Sequence, residues 1–583
     1  LINAGGIVEA RASAKPAISA ALTTLSWLLL AWWSVEVTFA HHLVSGLATF
    51  TAFALLIVAG NWLASRQSGE EASFANSTYL ALAAHFFLFF VAGTKTLALP
   101  PWPLFVALAV LDVAIGLAAL HLKRERLFAA NMAASQIVLL IWSSNAVDVP
   151  WPQVALVATL IVAAMAVVWY RIDSAFSSAA FLALFLGQIV AMSVSRFAAA
   201  PALGALIATQ LTLAVAILVV AALTGTHETV VLAVFTTAAA TALAKTHTPL
   251  QAFVFAAAMY SPFIAYPLSL GKRARQSLLP HLAAVFGSVF FFFFARQAII
   301  DGGYRGVVGL LPLTQAALMA LLLYGLLKIE PPGTRALNRL ALVAGTALAF
   351  VTVAIPLQLD KQWITVGWAL EGAALVWLFQ RIPHRGLLLW SGALLAAVVV
   401  RLTLNEAVFD YHARTGMPIV NWYLYTYLVC AASLFAAAWL WPRDERLPAS
   451  RAVSALNAAG TVLLFFLLNI EIADFYSKGA HLTFNFFSSS LAQDLTYTIA
   501  WAVFAIGMLI AGIIAHARSA RVAALVLLLV TILKCFLHDL GRLGGLYRVG
   551  SLLGLAISLV LVGILLQRFV MARPTEEPIS ADR

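Results

Sequence analysis

Charged residues are scarce in this chain: Asp, Glu, Lys and Arg make up 10% of its 583 residues, whereas 63% are hydrophobic. Soluble domains carry roughly 25% charged residues, so this composition excludes a soluble globular fold. Cysteine is nearly absent as well. Cys430 and Cys535 form neither a CxxC pair nor a Cys/His cluster, so we expect no disulfide framework, no metal site of that kind and no cofactor.

Several motifs of known chemistry are also missing. The sequence contains no Walker A motif, no GxGxxG turn, no HExxH and no GxSxG elbow, which weighs against an ATPase, a dinucleotide enzyme, a zincin or a serine hydrolase. The formal net charge of +11 does not indicate nucleic-acid binding, because no long basic tract or stacking module interrupts the apolar runs.

Apolar runs of about twenty residues, the length that crosses a hydrocarbon core, recur along the whole chain. We therefore predict an all-α, polytopic transmembrane bundle of about 20 spans. The predicted spans lie near residues 17–40, 43–64, 77–98, 103–121, 127–146, 151–170, 176–197, 203–222, 228–246, 249–268, 279–297, 308–328, 338–358, 362–382, 385–405, 421–441, 452–474, 493–517, 520–538 and 547–570.

The charge of the short loops gives an orientation. Loops on one side of the predicted topology hold 23 of the 35 basic residues, and basic loops remain in the cytoplasm. This predicts that both termini are cytoplasmic. Because the chain begins with Leu1 and not with Met, it is consistent with a fragment of a longer protein.

Glu371 is the most informative charged residue, since it falls near the middle of the predicted span 362–382. An ionised side chain in hydrocarbon costs roughly 2.5–3.5 kcal/mol on insertion scales, so it needs a partner or a water-filled cavity. Gly367 and Trp368 share its helix face, and the small residue would let another helix approach closely. Two hypotheses remain open: a neutral, hydrogen-bonded structural carboxyl, or a proton-coupled or ligand-binding group.

A second set of polar and charged residues occupies the predicted outward ends of the C-terminal helices. Together they could form a pocket for a sugar, an anion or a lipid head group; alternatively, each could extend to the interface and form a salt bridge. With Glu371 and Trp368, the substrate-binding candidates in this set are Arg401, Glu406, Glu471, Asp474, Asp494, Lys534, His538, Asp539, Arg542 and Arg548. The spacing of Glu471 and Asp474 places them on one helix face, as does that of Lys534 and His538.

Two stretches resemble a bacterial family of predicted membrane proteins, domain of unknown function 2339. They are the segment 355–377, which contains Trp368 and Glu371, and the segment 533–548 with its continuation at 566–569; the regions around 469–471 and 493–501 are also similar. The resemblance covers roughly 335–570 and implies a many-helix protein of the bacterial inner membrane, with no activity attached. It divides the chain into N-terminal helices over 1–334, C-terminal helices over 335–570 and a polar tail over 571–583.

Three functional hypotheses follow. The leading one is a non-enzymatic integral membrane protein of the cell envelope that binds or moves a small solute or a lipid-linked molecule. The second is a membrane-embedded transferase acting at the outer face, with Glu471, Asp474 or Asp494 as acid or base. The third is a scaffold for an envelope complex. In each case the lipid bilayer is the expected partner, and nucleic acid is not.

The leading hypothesis makes a prediction about Glu371. Replacement by Gln should abolish the cellular phenotype of the protein while membrane insertion, measured by fractionation, stays intact, because the substitution removes the charge and keeps the shape. Wild-type behaviour of the variant would remove the reason for favouring transport.

Overall fold

The computed structural model describes residues 2–13, 15–36, 42–67, 76–196, 201–271, 276–330, 337–359, 361–381, 383–411, 419–442, 449–477, 482, 490–539, 549–550, 553–554, 556–557, 560 and 564. All regular elements in these ranges are helical, as expected for a chain whose backbone groups must be satisfied within each membrane-spanning segment. The chain divides into two compact units, residues 1–351 and 352–583. The predicted boundary at 334/335 rests on the resemblance alone and stays a prediction.

The first unit contains fourteen α-helices among its described residues, and a fifteenth runs across the unit boundary. They are α1 (Ile2–Ala12), α2 (Pro16–Glu36), α3 (Leu43–Gln67), α4 (Ala84–Gly93), α5 (Lys95–Ala98), α6 (Trp102–His121), α7 (Glu125–Ser143), α8 (Trp151–Ile172), α9 (Ser177–Ser195), α10 (Leu203–Thr224), α11 (Glu228–Leu243), α12 (Pro249–Ser269), α13 (Leu279–Asp301), α14 (Leu310–Ile329) and α15 (Leu337–Gln358). Short 3-10 turns cover Thr78–Ala83, Ser174–Phe176 and Arg305–Val307.

The second unit continues with six α-helices among its described residues. They are α16 (Gln362–Arg381), α17 (Arg385–Leu404), α18 (Trp422–Leu440), α19 (Ala449–Tyr476), α20 (Leu491–Ile514) and α21 (Arg518–Leu533). A 3-10 turn spans Glu406–Asp410, and a π-helical segment, Lys534–Asp539, prolongs α21. The apolar core of the second unit includes Tyr427, Cys430 and Leu463.

The predicted membrane-spanning fold is confirmed. The described residues contain 16 helices that are long and apolar enough to cross a membrane, and each coincides with a predicted span. Two further predicted spans are shorter apolar helices, Thr78–Gly93 and Glu228–Leu243. The segment containing Glu371 is the helix α16, which is not among the 16, and most of 547–570 lies outside the described residues.

The helix α1 was not predicted from the sequence. It has only eleven residues, too few to cross a bilayer, so a search for long apolar runs does not find it. Its Ile7 and Ala10 are buried in a small cluster with Ala64 of α3, and this tertiary contact explains why the segment is helical.

Turn residues set the limits of several helices. Pro103, Pro152 and Pro249 occupy the first or second helical position, where no intrahelical N–H bond is lost. The helix α10 ends at Gly225, whose φ of +77° is a left-handed conformation that glycine adopts without steric cost.

Polar side chains recur near the middle of successive apolar helices in the first unit. We call this set the mid-span polar row. Its members are Asp112, Asn131, Ser135, Gln136, Thr159, Gln188, Gln210, Thr236, Thr237, Tyr260 and Ser288. Thr236 is half-buried and the others are buried.

Hydrogen bonds within the row join neighbouring helices. Gln188 of α9 donates through Nε2 to the Thr237 hydroxyl of α11 at 3.2 Å and accepts from the Thr236 hydroxyl at 2.6 Å. Gln210 of α10 donates to the backbone oxygen of Gln188 at 3.2 Å. Lipid tails are as apolar as leucine side chains, so apolar contacts alone do not select which helices pack together. The hydrogen bonds of the row contribute to that selection.

We predict that Gln188→Leu destabilises the first unit. The substitution removes both bonds between α9 and α11 and leaves the Thr237 hydroxyl without its donor, which should lower the free energy of unfolding by about 1–2 kcal/mol. Reversible unfolding in mixed detergent micelles measures this. The matched control is Gln153→Leu, the same change at an exposed position of α8; equal stability of the two variants would contradict the role given to the row.

Candidate functional site

The strongest candidate site lies where α20 begins and α21 ends. Ser490 caps α20 by accepting a hydrogen bond from the Gln493 backbone N–H at 3.3 Å, and Asp494 follows in the first turn. A carboxylate is favoured there by the partial positive charge of a helix N-terminus. The carboxylates of Asp494 and Asp539 are both buried, with residue exposures of 1% and 0%.

Lys534 lies between the two helices. Its Nζ donates to Asp539 Oδ1 at 2.9 Å and Oδ2 at 3.2 Å, to the Thr498 hydroxyl at 2.8 Å and to the Asp494 backbone oxygen at 3.0 Å. Thr498 in turn donates to Asp539 Oδ2. These bonds satisfy the ammonium group and the Asp539 carboxylate together, which is the condition under which a buried ion pair is tolerated.

The π-helical segment Lys534–Asp539 explains this pairing. Regular α-helical spacing places Lys534 and His538 on one face, which is the pair that the sequence predicted. A π-helix has more residues in each turn, so Lys534 meets Asp539, five residues later. Short π-helical segments occur frequently at functional sites.

His538 completes the group that we call the helix-end cluster: Asp494, Thr498, Lys534, His538 and Asp539. Its Nε2 lies 3.8 Å from Asp494 Oδ2. The side chain of His538 is 29% exposed and that of Lys534 is 19% exposed, so the cluster is reachable from outside the helix pair.

The same residues offer ligand atoms for a metal ion. Asp494, His538 and Asp539 each present one such atom, all within 4.8 Å of one another. However, the Lys534 ammonium already contacts both oxygens of Asp539, and it would repel a divalent ion there. The arrangement therefore disfavours a divalent metal ion at Asp539.

A second polar group joins α18 and α19. Asn421 caps α18 by accepting from the Leu424 backbone N–H at 3.0 Å. Its amide donates to Glu471 Oε2 at 3.0 Å and to Asp474 Oδ2 at 3.3 Å. One amide thus bridges the two acids that the sequence placed on one face. Lys478 follows Asp474 by four residues, a spacing suited to an ion pair, but it lies outside the described residues.

The α19 and α20 helices are joined in turn by polar contacts. The Trp501 indole N–H donates to Asn469 Oδ1 at 2.9 Å, and the hydroxyls of Tyr476 and Thr496 lie 2.9 Å apart. A groove of about 400 Å³ between these helices is lined by Leu468, Thr496, Ile499, Ala500, Val503 and Phe504. Helical periodicity places these α20 residues on the opposite face from Asp494 and Thr498.

Arg401 belongs to a third group. Its Nη2 donates to the Tyr411 hydroxyl at 2.8 Å, and its guanidinium lies 5.7 Å from the centre of the Tyr411 ring. The Lys361 ammonium binds the backbone oxygen of the same tyrosine. Glu406 is exposed at the start of a 3-10 turn, so it does not take part in this contact.

Glu371 lies deep in α16 and is 8% exposed. Thr352 donates to its Oε1 at 2.5 Å, and the Trp390 indole N–H donates to the same hydroxyl at 3.2 Å. Among the described residues, Glu371 Oε2 and Trp368 Nε1 are buried without a hydrogen-bond partner. A Cβ atom at Gly367 would lie 2.9 Å from Ile355, which agrees with the expected close approach of a neighbouring helix.

The predicted site residues thus separate into several places. The structure brings Asp494, Lys534, His538 and Asp539 together and joins Glu471 to Asp474 through the Asn421 amide. Glu371 and Trp368 lie elsewhere, near the middle of α16. Arg542 and Arg548 lie outside the described residues. Sequence reasoning missed the uncharged partners Thr498, Asn421, Thr352 and Tyr411, for which the only available signal was a polar residue at a helix end or inside an apolar run.

The Lys534–Asp539 pair should show strong energetic coupling. Either Lys534→Met or Asp539→Asn alone leaves one buried charge without its partner, at a cost of about 3 kcal/mol in the free energy of unfolding. The double variant should be less destabilised than the sum of the single variants by at least about 1 kcal/mol. Unfolding in mixed detergent micelles measures the cycle, with Glu406→Gln as an exposed control; additive effects would show that the pair is not coupled.

Two comparisons with known proteins do not bear on function. A search of the curated proteins found no match. Among solved structures, the chain is similar to one titled "Circular tandem repeat protein with novel repeat topology and enhanced subunit contact surfaces", with 10% identity, coverage of 89% of this chain and 99% of that chain, and a TM-score of 0.27. A likeness this low carries no argument.

A family model, by contrast, matches the part of the chain that holds the helix-end cluster. The match includes the helices α17 to α21 and ends at residue 569; the segment 355–377 precedes it. The resemblance predicted from the motifs is confirmed over this range. Residues 384–569 match the family described as "Predicted membrane protein (DUF2339)", a family of unknown function.

Proposed function

We propose that this chain is a multi-pass membrane protein that binds and moves a small solute, and that the helix-end cluster receives the positive charge that travels with it. That charge is either a cationic group of the solute or a coupled proton. The observation that carries the proposal is that two buried carboxylates, Asp494 and Asp539, meet Lys534 and His538 at the ends of two apolar helices.

The buried acids give the cluster groups that can bind a cation. Asp539 pairs with Lys534 at 2.9 Å, and Asp494 Oδ2 lies 3.8 Å from His538 Nε2. Ionisable residues of this kind within membrane helices mark ion and substrate pathways in transporters.

Glu371 supports the same proposal as a second buried group that can bind a proton or a solute. Its carboxyl lies nine residues beyond the start of α16 at Gln362, which is about 13 Å along a helix axis. Thr352 holds one oxygen in place, and the other has no partner among the described residues. A buried acid that is oriented but only half satisfied is suited to bind a proton or a solute donor.

The separation of the apolar groove from the cluster favours a solute over a lipid-linked substrate. A transferase for a lipid carrier needs its acid or base beside the groove that holds the lipid chain. The groove along α19 and α20 contains Ile499 and Val503, on the opposite face of α20 from Asp494. This argues against Asp494 as the acid or base of such a transferase and so supports the solute hypothesis for the helix-end cluster.

The location of the protein is part of the proposal. Its many apolar helices make it a multi-pass membrane protein. The bacterial inner membrane of the cell envelope, with both termini in the cytoplasm, is inferred from the motif resemblance and from the basic loops.

We predict that Asp494→Asn abolishes cation binding while the fold survives, because the Lys534–Asp539 pair remains intact. The protein in lipid nanodiscs is tested at pH 7.5 with the cations ethylammonium, choline and spermidine. Acetate serves as the anionic comparison and glucose as the uncharged one. Binding to the native state raises the melting temperature. The cations should raise it in the wild type and not in the variant, and uptake of the best binder into proteoliposomes should be lost in parallel.

Glu406→Gln is the matched control, since it removes one exposed carboxylate in the same unit and leaves the cluster unchanged. It should keep both the melting shift and the uptake. Equal cation binding by wild type and Asp494→Asn, or binding restricted to acetate or glucose, would overturn the proposed role of the cluster.

A further inference from the structure

A crevice in the first unit combines an apolar wall with a single carboxyl group. It has a volume of about 290 Å³ and lies between α6, α7 and α8, lined by Phe105, Leu108, Asp112, Leu139, Ile161 and Met165 together with small and β-branched residues. Small-molecule sites begin at roughly this volume and are mostly apolar, with a few placed polar groups.

Asp112 is held in a fixed orientation within this wall. Asn131 donates through Nδ2 to its Oδ1 at 2.8 Å, and the Ser135 hydroxyl donates to the same oxygen at 2.5 Å. All three residues are at least 97% buried. Among the described residues both hydrogen bonds end on Oδ1, which leaves Oδ2 as an acceptor for a ligand in the crevice that Asp112 lines.

The depth of Asp112 restricts what can reach it. It is the eleventh of the twenty residues of α6, so it lies about 15 Å from the start of the helix along its axis. At the rim of the crevice, Val113 and Ile161 are 45% and 63% exposed. In a membrane these exposed apolar side chains face hydrocarbon, so a ligand enters from the bilayer and not from water.

The charge at Asp112 determines the chemistry of that ligand. Its described partners are two neutral donors, and no described Lys, Arg or His forms an ion pair with it. Burial in a low-dielectric site disfavours a lone carboxylate charge, and an ammonium group that pairs with the carboxylate offsets this cost. An ammonium group on an apolar body satisfies both the carboxylate and the crevice wall.

We propose that this crevice binds a lipophilic amine, with the ammonium group paired to Asp112 Oδ2 and the apolar body packed between α6 and α8. The site lies in a different unit from the helix-end cluster and does not depend on the function proposed for that cluster. Gln188 of the mid-span polar row has a different role, because its bonds to Thr236 and Thr237 join α9 to α11.

The test measures binding of adamantylamine to the protein in nanodiscs, with adamantanol and adamantane as neutral analogues of the same shape and empty nanodiscs as the background. The wild type should bind the amine about tenfold more tightly than the alcohol, a typical gain for a desolvated ion pair. Asp112→Asn should remove this preference and leave the weaker binding of the alcohol unchanged. Asp148→Asn, an exposed acid in a loop, is the charge control.

A cavity-filling variant keeps the test decisive even if Asp112→Asn fails to fold. Ala158→Leu fills the crevice from α8 and leaves Asp112, Asn131 and Ser135 unchanged, so it should abolish binding of amine and alcohol alike. Ala164→Leu makes the same change at an exposed position of α8 outside the crevice and should bind normally. Undiminished amine binding by Ala158→Leu or by folded Asp112→Asn, or an alcohol that binds the wild type as tightly as the amine, overturns the proposal.

Discussion

Hydrogen bonding without water is the constraint on which the described structure of this chain depends. In hydrocarbon a backbone N–H or C=O that lacks a partner costs several kcal/mol, and a helix supplies these partners within a single segment. Because the 16 helices that are long and apolar enough to cross a membrane form most of these bonds internally, the remaining question for every segment is where its few polar side chains find partners. The polar side chains find their partners in different ways in the two units.

In the first unit the polar side chains are mostly neutral and lie in the middle of the helices. Glutamine, threonine, serine and tyrosine both donate and accept, so Gln188 can bridge α9 and α11 with no charge to neutralise. Each such bond is worth only about 0.6 kcal/mol on average in a membrane protein, and their value is to choose which helix faces meet. Asp112 is the exception, because it is an acid whose carboxyl both accepts hydrogen bonds from Asn131 and Ser135 of α7 and borders a crevice.

In the second unit the charges concentrate at helix ends. Asp494, Lys534 and Asp539 lie where α20 begins and α21 ends, and their mutual contacts reduce the cost of placing ions in a low-dielectric region. The π-helical segment brings Lys534 to Asp539, since it changes which side chains share a helix face. Glu371 differs because it is buried within α16 with one oxygen unsatisfied among the described residues, which makes it a candidate for function and not only for stability.

Much of this could be predicted from the sequence. Runs of about twenty apolar residues identified the spans, because the length of a span is set by the thickness of the bilayer. The buried acids could also be found, because a charged residue inside a long apolar run is visible in the sequence itself. The helix α1 could not be found in this way, since its eleven residues are stabilised by packing of Ile7 and Ala10 near Ala64, and the sequence does not display that contact.

The sequence by itself therefore determined the fold class, the positions of the spans and the identity of the costly side chains, because each depends on local composition. Only the tertiary structure decided which of those side chains meet. It paired Lys534 with Asp539 in place of His538, brought Asn421 to Glu471 and Asp474, and placed Asp112 beside an apolar crevice. These outcomes depend on helix register and on which helices pack together, and neighbouring antiparallel helices can be arranged in many ways with nearly the same burial of apolar surface.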